Sequence, residues 1–209
     1  MTRPTFRAIF ERLLRELGPQ HWWPAETPFE MMIGAVLTQN TAWRNVERSI
    51  GALRAERLLA PDALAAANPD RLRAAIRPSG FMTAKAAACA RLAEWTLVRD
   101  ALRGGVARLT DETLRADLLD IRGVGPETAD AIMLYAFDRP RFVWDAYARR
   151  LLAASGYDVP GTYEAARRQL GAEFAAAGFN LAECQDLHGL IVEAGKRGRQ
   201  ASRLTENLR

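Results

Sequence analysis

The run Leu118-Leu119-Asp120-Ile121-Arg122-Gly123-Val124-Gly125-Pro126-Glu127-Thr128-Ala129-Asp130 constrains this chain more than any other segment. A helically periodic stretch ends in two closely spaced glycines, and a proline opens the next periodic stretch. Glycine reaches backbone conformations closed to other residues. Proline at a first helical position needs no partner for its missing N–H. The pattern predicts two helices joined by a tight turn, a helix–hairpin–helix over about 114–137. Free amides in such a turn, beside the positive end of a helix, form a site for one phosphate. A grip of that kind holds a nucleic-acid backbone without reading its sequence. An acid, Asp145, follows twenty residues after Gly125.

The remaining periodic segments are also helical. Thr27-Pro28-Phe29-Glu30 reads as a capping box with proline at the first helical position. Further helices fit about 3–17, 41–55, 61–67, 69–76, 83–102, 111–120, 126–137, 145–155, 162–177 and 181–196. Asn68-Pro69, Pro78-Ser79-Gly80, Gly104-Gly105 and Pro160-Gly161 mark breaks between them. No alternating β-branched run is long enough for a strand, so the expected class is all-α. A hydrophobic content of 49% over 209 residues suffices for a real core. No apolar run reaches membrane-spanning length, and the charged start MTRPTFRAIFERLL does not read as a signal peptide. A soluble intracellular protein with no membrane partner is expected. The two cysteines, Cys89 and Cys184, are too few for a four-cysteine metal or iron–sulfur site and read as small buried hydrophobes.

The net charge of +4 says little by itself, but its distribution says more. From position 196 onward Lys196, Arg197, Arg199, Arg203 and Arg209 face only Glu206, a basic tail that suits nucleic acid or is simply a solvated face. All basic residues but Lys85 and Lys196 are arginine, whose fixed fork matches phosphate. A high-GC genome would give the same bias.

TPFEMMIGAVLTQNT, IRPSGFMTAKA, LLDIRGVGPETADAI and VWDAYARR occur here in the order and spacing that resemble the endonuclease III superfamily of DNA glycosylases. HWWP, GAVLTQNT, RPSGF, GPETADAI and HGLIVE make the chain most similar to its iron–sulfur-free bacterial 3-methyladenine DNA glycosylases. That resemblance implies a two-lobed helical fold with the active site in a cleft between lobes. One lobe would be a helical barrel over 28–135, and the termini, 1–27 with 136–209, would form the other. It implies a monofunctional enzyme of base excision repair that acts on double-stranded DNA containing damaged bases. A monomer in the cytoplasm, associated with the bacterial nucleoid, is expected. No cofactor is required and no iron–sulfur cluster is expected. A sodium or potassium ion on the backbone carbonyls of Leu119, Ile121 and Val124 is implied by the superfamily.

The resemblance also distributes roles. Asp145 is the catalytic acid, although its place before Ala146 equally suits a helix N-cap. Endonuclease III carries a lysine two residues past the second hairpin glycine, where this chain has Glu127, itself also suited to a helix first turn. A carboxylate cannot form the Schiff base that leads to strand cleavage. The five tryptophans include Trp22, Trp23 and Trp43, which flank the family's base pocket. Trp43 is the stacking candidate, and Trp22-Trp23-Pro24 forms a pocket wall. Trp23 and Trp95 suit the core equally well. His21, Glu127 and Lys196 line the mouth of the pocket or are plain surface residues. Gly123, Val124, Gly125 and Thr128 hold the DNA backbone. Gln39, Asn40, Phe81 and Met82 enter the duplex as the base leaves, with Phe81 as the wedge or, alternatively, a packed turn residue. Two other functions fit the same chain: a thymine/uracil mismatch or oxidised-pyrimidine glycosylase, and a non-catalytic helix–hairpin–helix DNA-binding protein.

Overall fold

The structure, a computed structural model, describes residues 3–197, and among them every regular element is helical. The α-helices are α1 (Phe6–Leu17), α2 (Pro28–Leu37), α3 (Trp43–Ala55), α4 (Pro61–Ala65), α5 (Pro69–Ala75), α6 (Met82–Val98), α7 (Asp111–Leu119), α8 (Pro126–Ala136), α9 (Ala146–Ala154), α10 (Tyr163–Ala176) and α11 (Leu181–Lys196). Most of their starts are fixed locally. Thr5, Thr27, Thr110, Asp145, Thr162 and Asn180 each accept a backbone N–H from the turn they precede. Pro28, Pro61, Pro69 and Pro126 stand at first helical positions.

Two details differ from the sequence expectation. At Thr27 only half of the capping box forms: the hydroxyl accepts from Glu30 N at 3.1 Å. The Glu30 carboxylate is drawn instead to Arg54, at 3.0 and 2.8 Å, because a guanidinium fork offers a buried acid more than one amide does. The complete box closes at Asn180 and Glu183. The helix expected over 83–102 breaks at Asp100, which takes a left-handed φ of 47° before a separate 3₁₀ turn over Ala101–Arg103. Ala101 is buried at that bend, so tertiary packing overrides a locally continuous helical pattern.

The chain folds as two compact units. One is Ala25–Phe137; the other takes the described residues up to Pro24 and those from Asp138 onward. In the Ala25–Phe137 unit, α2 is apolar nearly all round and buried from Phe29 to Leu37, as a helix enclosed by others must be. It packs against α3, α6 and α8. A buried ion pair ties α7 to α8: Arg115 Nε and Nη2 donate to the two carboxylate oxygens of Asp130 at 2.9 and 3.2 Å. In the terminal unit α11 packs on α1 and α9 around Phe6, Ile9, Leu13, Trp144, Leu152 and Leu190. Phe6 meets the rings of Phe142 and Trp144 edge-on, at 5.5 and 6.2 Å. No described helix is long and apolar enough to cross a membrane.

Candidate active site

Asp145 follows the buried run Phe142-Val143-Trp144, which pins the backbone just before α9. The residue is 6% exposed, and one carboxylate oxygen accepts the Ala148 N–H at 2.7 Å. The acid is therefore the N-cap of α9, and the positive end of that helix favours its charge. The other oxygen lies 3.9 Å from Nε2 of His188 on α11. Burial pushes the His188 imidazole down to about 4, so it is neutral near pH 7 and the contact is not an ion pair.

Trp22 stands beside this pair. Its ring meets His188 edge-on at 5.8 Å and Trp23 at 5.6 Å. The Lys196 ammonium sits 5.3 Å from the centre of the Trp22 ring, within cation–π range. Glycines on α11 make the room. A Cβ on Gly189 would come 3.0 Å from Trp22 Cγ, and one on Gly195 would come 2.0 Å from Tyr147 Cδ1. His188, Gly189, Gly195 and Lys196 recur at helical spacing and share one face of α11. The structure thus gathers Asp145, Trp22, Trp23 and Lys196 in one unit. His21 and Pro24 are exposed beside the two tryptophans in sequence. His188, Gly189, Gly195 and Tyr147 were not singled out from the sequence. The available signal was two glycines inside a long helix, where each costs about 1 kcal/mol against alanine unless close packing requires it.

The hairpin and the other candidates belong to the Ala25–Phe137 unit. Gly123 has φ +105°, and a Cβ there would come 2.5 Å from the Ala88 Cβ on α6. Gly125 behaves differently from expectation. Its φ of −93° and ψ of 177° are open to any residue, and a Cβ would meet nothing within 4 Å. It caps α8 without a side chain and leaves open space above the first-turn amides. Gln39 Nε2 donates to Gly123 O at 3.1 Å and to the buried Thr128 Oγ1 at 3.0 Å. Arg91 Nη1 donates to Arg122 O at 3.1 Å. Val124 is buried and donates its N–H to Ile121 O at 2.9 Å. Glu127 is exposed in the first turn of α8, and Trp43 is half-buried at the start of α3. Asn40 and Phe81 are both left-handed, at φ 53° and 48°. Phe81 is 68% exposed, so it is not the packed turn residue that the sequence left open. Met82 beside it is half-buried.

The cysteines are both buried and free; burial pushes the thiols of Cys89 and Cys184 up to about 12 and about 11, which makes them inert. Trp95 is half-buried, edge-on to Phe137 at 6.1 Å. Among the described residues no group of three or more His, Cys, Asp or Glu could hold a metal ion. Arg199, Arg203 and Arg209 of the basic tail lie outside the described residues.

Residues 33–176 match the HhH-GPD superfamily of base excision DNA repair proteins, and the chain belongs to that family. A Methanocaldococcus jannaschii protein designated a DNA repair glycosylase is 44% identical over 150 residues, which cover 71% of this chain and 68% of that one. The endonuclease III of Thermotoga maritima is 31% identical over 130 residues, but the match spans only 57% of its length. The crystal structure of an H. pylori 3-methyladenine DNA glycosylase bound to 1,N6-ethenoadenine is similar over 93% of this chain and 98% of that chain, at 27% identity and a TM-score of 0.77. The all-α fold with a helix–hairpin–helix is that of base excision repair DNA glycosylases.

Proposed function

We propose that this chain is a monofunctional DNA glycosylase that hydrolyses the N-glycosidic bond of alkylated purines such as 3-methyladenine. The observation that supports the substrate class is the indole face of Trp22 near the buried carboxylate of Asp145: Lys196 marks it as a face that attracts a cation, and the ammonium would withdraw when a cationic base takes its place. An N3-alkylated adenine is cationic, and an indole face attracts a desolvated cation by about 2 kcal/mol. Trp43 would stack on the extruded base, and Glu127 of the same unit would contact it; in the terminal unit His21, Trp23 and Pro24 would serve the base with Trp22.

Cleavage breaks the bond from the sugar C1′ to the base nitrogen. The electron pair leaves with the base, which departs neutral from an alkylated cation and needs no general acid. Positive charge then develops on the sugar, and Asp145 stabilises it. Water attacks C1′ as Asp145 orients it or takes its proton. His188 is neutral and does not cancel that negative charge. The amides at the start of α8 would hold a phosphate, with Gly125 leaving room for its approach. Gly123, Val124 and Thr128 would shape that grip. A monovalent cation would suit the carbonyls of Leu119, Ile121 and Val124, since α7 ends at Leu119 with its negative dipole end there. Exposed Phe81 would wedge into the duplex, flanked by Met82, with Gln39 and Asn40 on the other side of the gap.

The test is a panel of duplexes that are methylated, uracil-containing or mismatched, with identification of every base released. The expected result is release of 3-methyladenine ahead of uracil and thymine. Faster release of uracil or thymine would replace this reading with a mismatch glycosylase. Release of no base, with duplex binding retained, would leave a non-catalytic DNA-binding protein.

A further inference from the structure

Lys85 is 4% exposed, although a lysine is almost never buried without partners. Its ammonium donates to two backbone carbonyls, Leu37 O at 2.8 Å and Ser79 O at 2.7 Å. Neither acceptor is in a random place. Leu37 is the last residue of α2, and the turn it opens carries Gln39 and Asn40. Ser79 ends a 3₁₀ turn over Arg77–Ser79, and the next residues are Gly80 and the exposed Phe81. Asn40 and Phe81 both hold left-handed backbones; asparagine adopts one readily, but a phenylalanine keeps one only where its surroundings fix it. One cation therefore ties together the carbonyl ends of the two turns that present these residues. The Ser79 hydroxyl adds a second tie, a 2.8 Å hydrogen bond to Ser49 on α3 within the same buried region.

The neighbours of Lys85 on α6 act alike. Ala88 leaves the narrow space into which the hairpin Gly123 packs, and Arg91 donates to the Arg122 carbonyl. Positions 85, 88 and 91 fall on one side of a helix, so a single stripe of α6 braces three turns.

We propose that Lys85 is a positioning residue for base extrusion: by holding the Leu37 and Ser79 carbonyls on one ammonium, it sets the gap between the Asn40 and Phe81 turns. The inference rests on the wedge reading given above and goes beyond it by assigning the residue that fixes the wedge. Lys85 touches no reacting atom. Its loss should therefore slow the release of a base that must be unpaired, and spare the release of one that is already unpaired.

The experiment compares the wild type, Lys85→Met and Phe81→Ala, and the double variant. The substrates are two duplexes carrying 3-methyladenine, opposite thymine or opposite an abasic position. Lys85→Met is expected to lose tenfold or more on the paired duplex and less than threefold on the unpaired one. In the Phe81→Ala background the same change should add no further paired-duplex loss, because the two residues act through one wedge. Equal losses on both duplexes, or additive losses in the double variant, would overturn the proposal. A wild type that releases no base from either duplex fails the glycosylase reading instead. If Lys85→Met does not fold, hydrogen exchange on the wild type decides. The amides of the Asn40 and Phe81 turns are expected to open together with one protection factor, and independent opening would overturn the assignment.

Discussion

The two carboxylate oxygens of Asp145 have different surroundings. One oxygen is fixed by the Ala148 amide, which leaves the other to face the site beside His188. Burial of His188 gives a pH dependence that can be measured. In the unfolded chain a histidine takes up its proton below about 6.5, whereas in the fold His188 stays neutral until about 4. Between those values the unfolded state holds the extra proton, so stability is full above 6.5 and falls as the pH drops towards 4. At the lower end the loss from this residue is about 3 kcal/mol. Urea midpoints from pH 7.5 to 4.5 should show it, and His188→Leu should remove that share of the slope; an unchanged slope would contradict the assignment. The capping role of Asp145 was legible in the sequence, because an N-cap depends on the residues just before and after it. Trp22 was expected only through the resemblance, and His188 and Tyr147 were not expected at all, because their placement depends on how α11 and α9 pack, and no local pattern records that.

The hairpin turns on two glycines that are alike in sequence and unlike in structure. Gly123 needs to be glycine for both conformation and space, with φ +105° and Ala88 pressed against it. Gly125 needs it for neither. Gly123→Ala is expected to lower stability by more than about 1 kcal/mol. Gly125→Ala should change stability by less than about 1 kcal/mol, because a less flexible unfolded chain offsets the poorer N-cap that alanine makes for α8. The same Gly125→Ala should weaken binding to duplex DNA of any sequence, since the space it fills is where a phosphate would approach. Thermal melting together with duplex titrations checks both variants. A Gly125→Ala destabilised as much as Gly123→Ala, or one that binds as the wild type does, would contradict this reading. Helix starts were readable because proline, threonine and asparagine act within one turn. The break at Asp100 was not, since nothing between Met82 and Leu102 interrupts the helical pattern locally.

The whole chain carries two lysines, each held by a contact of its own. Lys85 is buried on two carbonyls, and Lys196 lies over Trp22. By the resemblance in sequence, Glu127 would stand where endonuclease III carries its lysine. Borohydride reduction of a reacting mixture is therefore expected to trap no protein–DNA adduct; a strong adduct lost in Lys196→Ala would make Lys196 a nucleophile and the enzyme bifunctional. The hairpin and the exposed Phe81 belong to the Ala25–Phe137 unit, and the acid with its tryptophans belongs to the terminal unit. Binding and cleavage should accordingly separate under mutation. The most direct test of the account is single-turnover base release by Asp145→Asn, measured beside its affinity for the same methylated duplex. Asparagine can still cap α9, so the fold and the affinity should stay near wild type. The rate should fall a hundredfold or more, because the charge that steadies the sugar cation is gone. A variant that binds normally and retains more than about a tenth of the wild-type rate, a loss below about 1.4 kcal/mol, would contradict the claim that Asp145 is the catalytic residue.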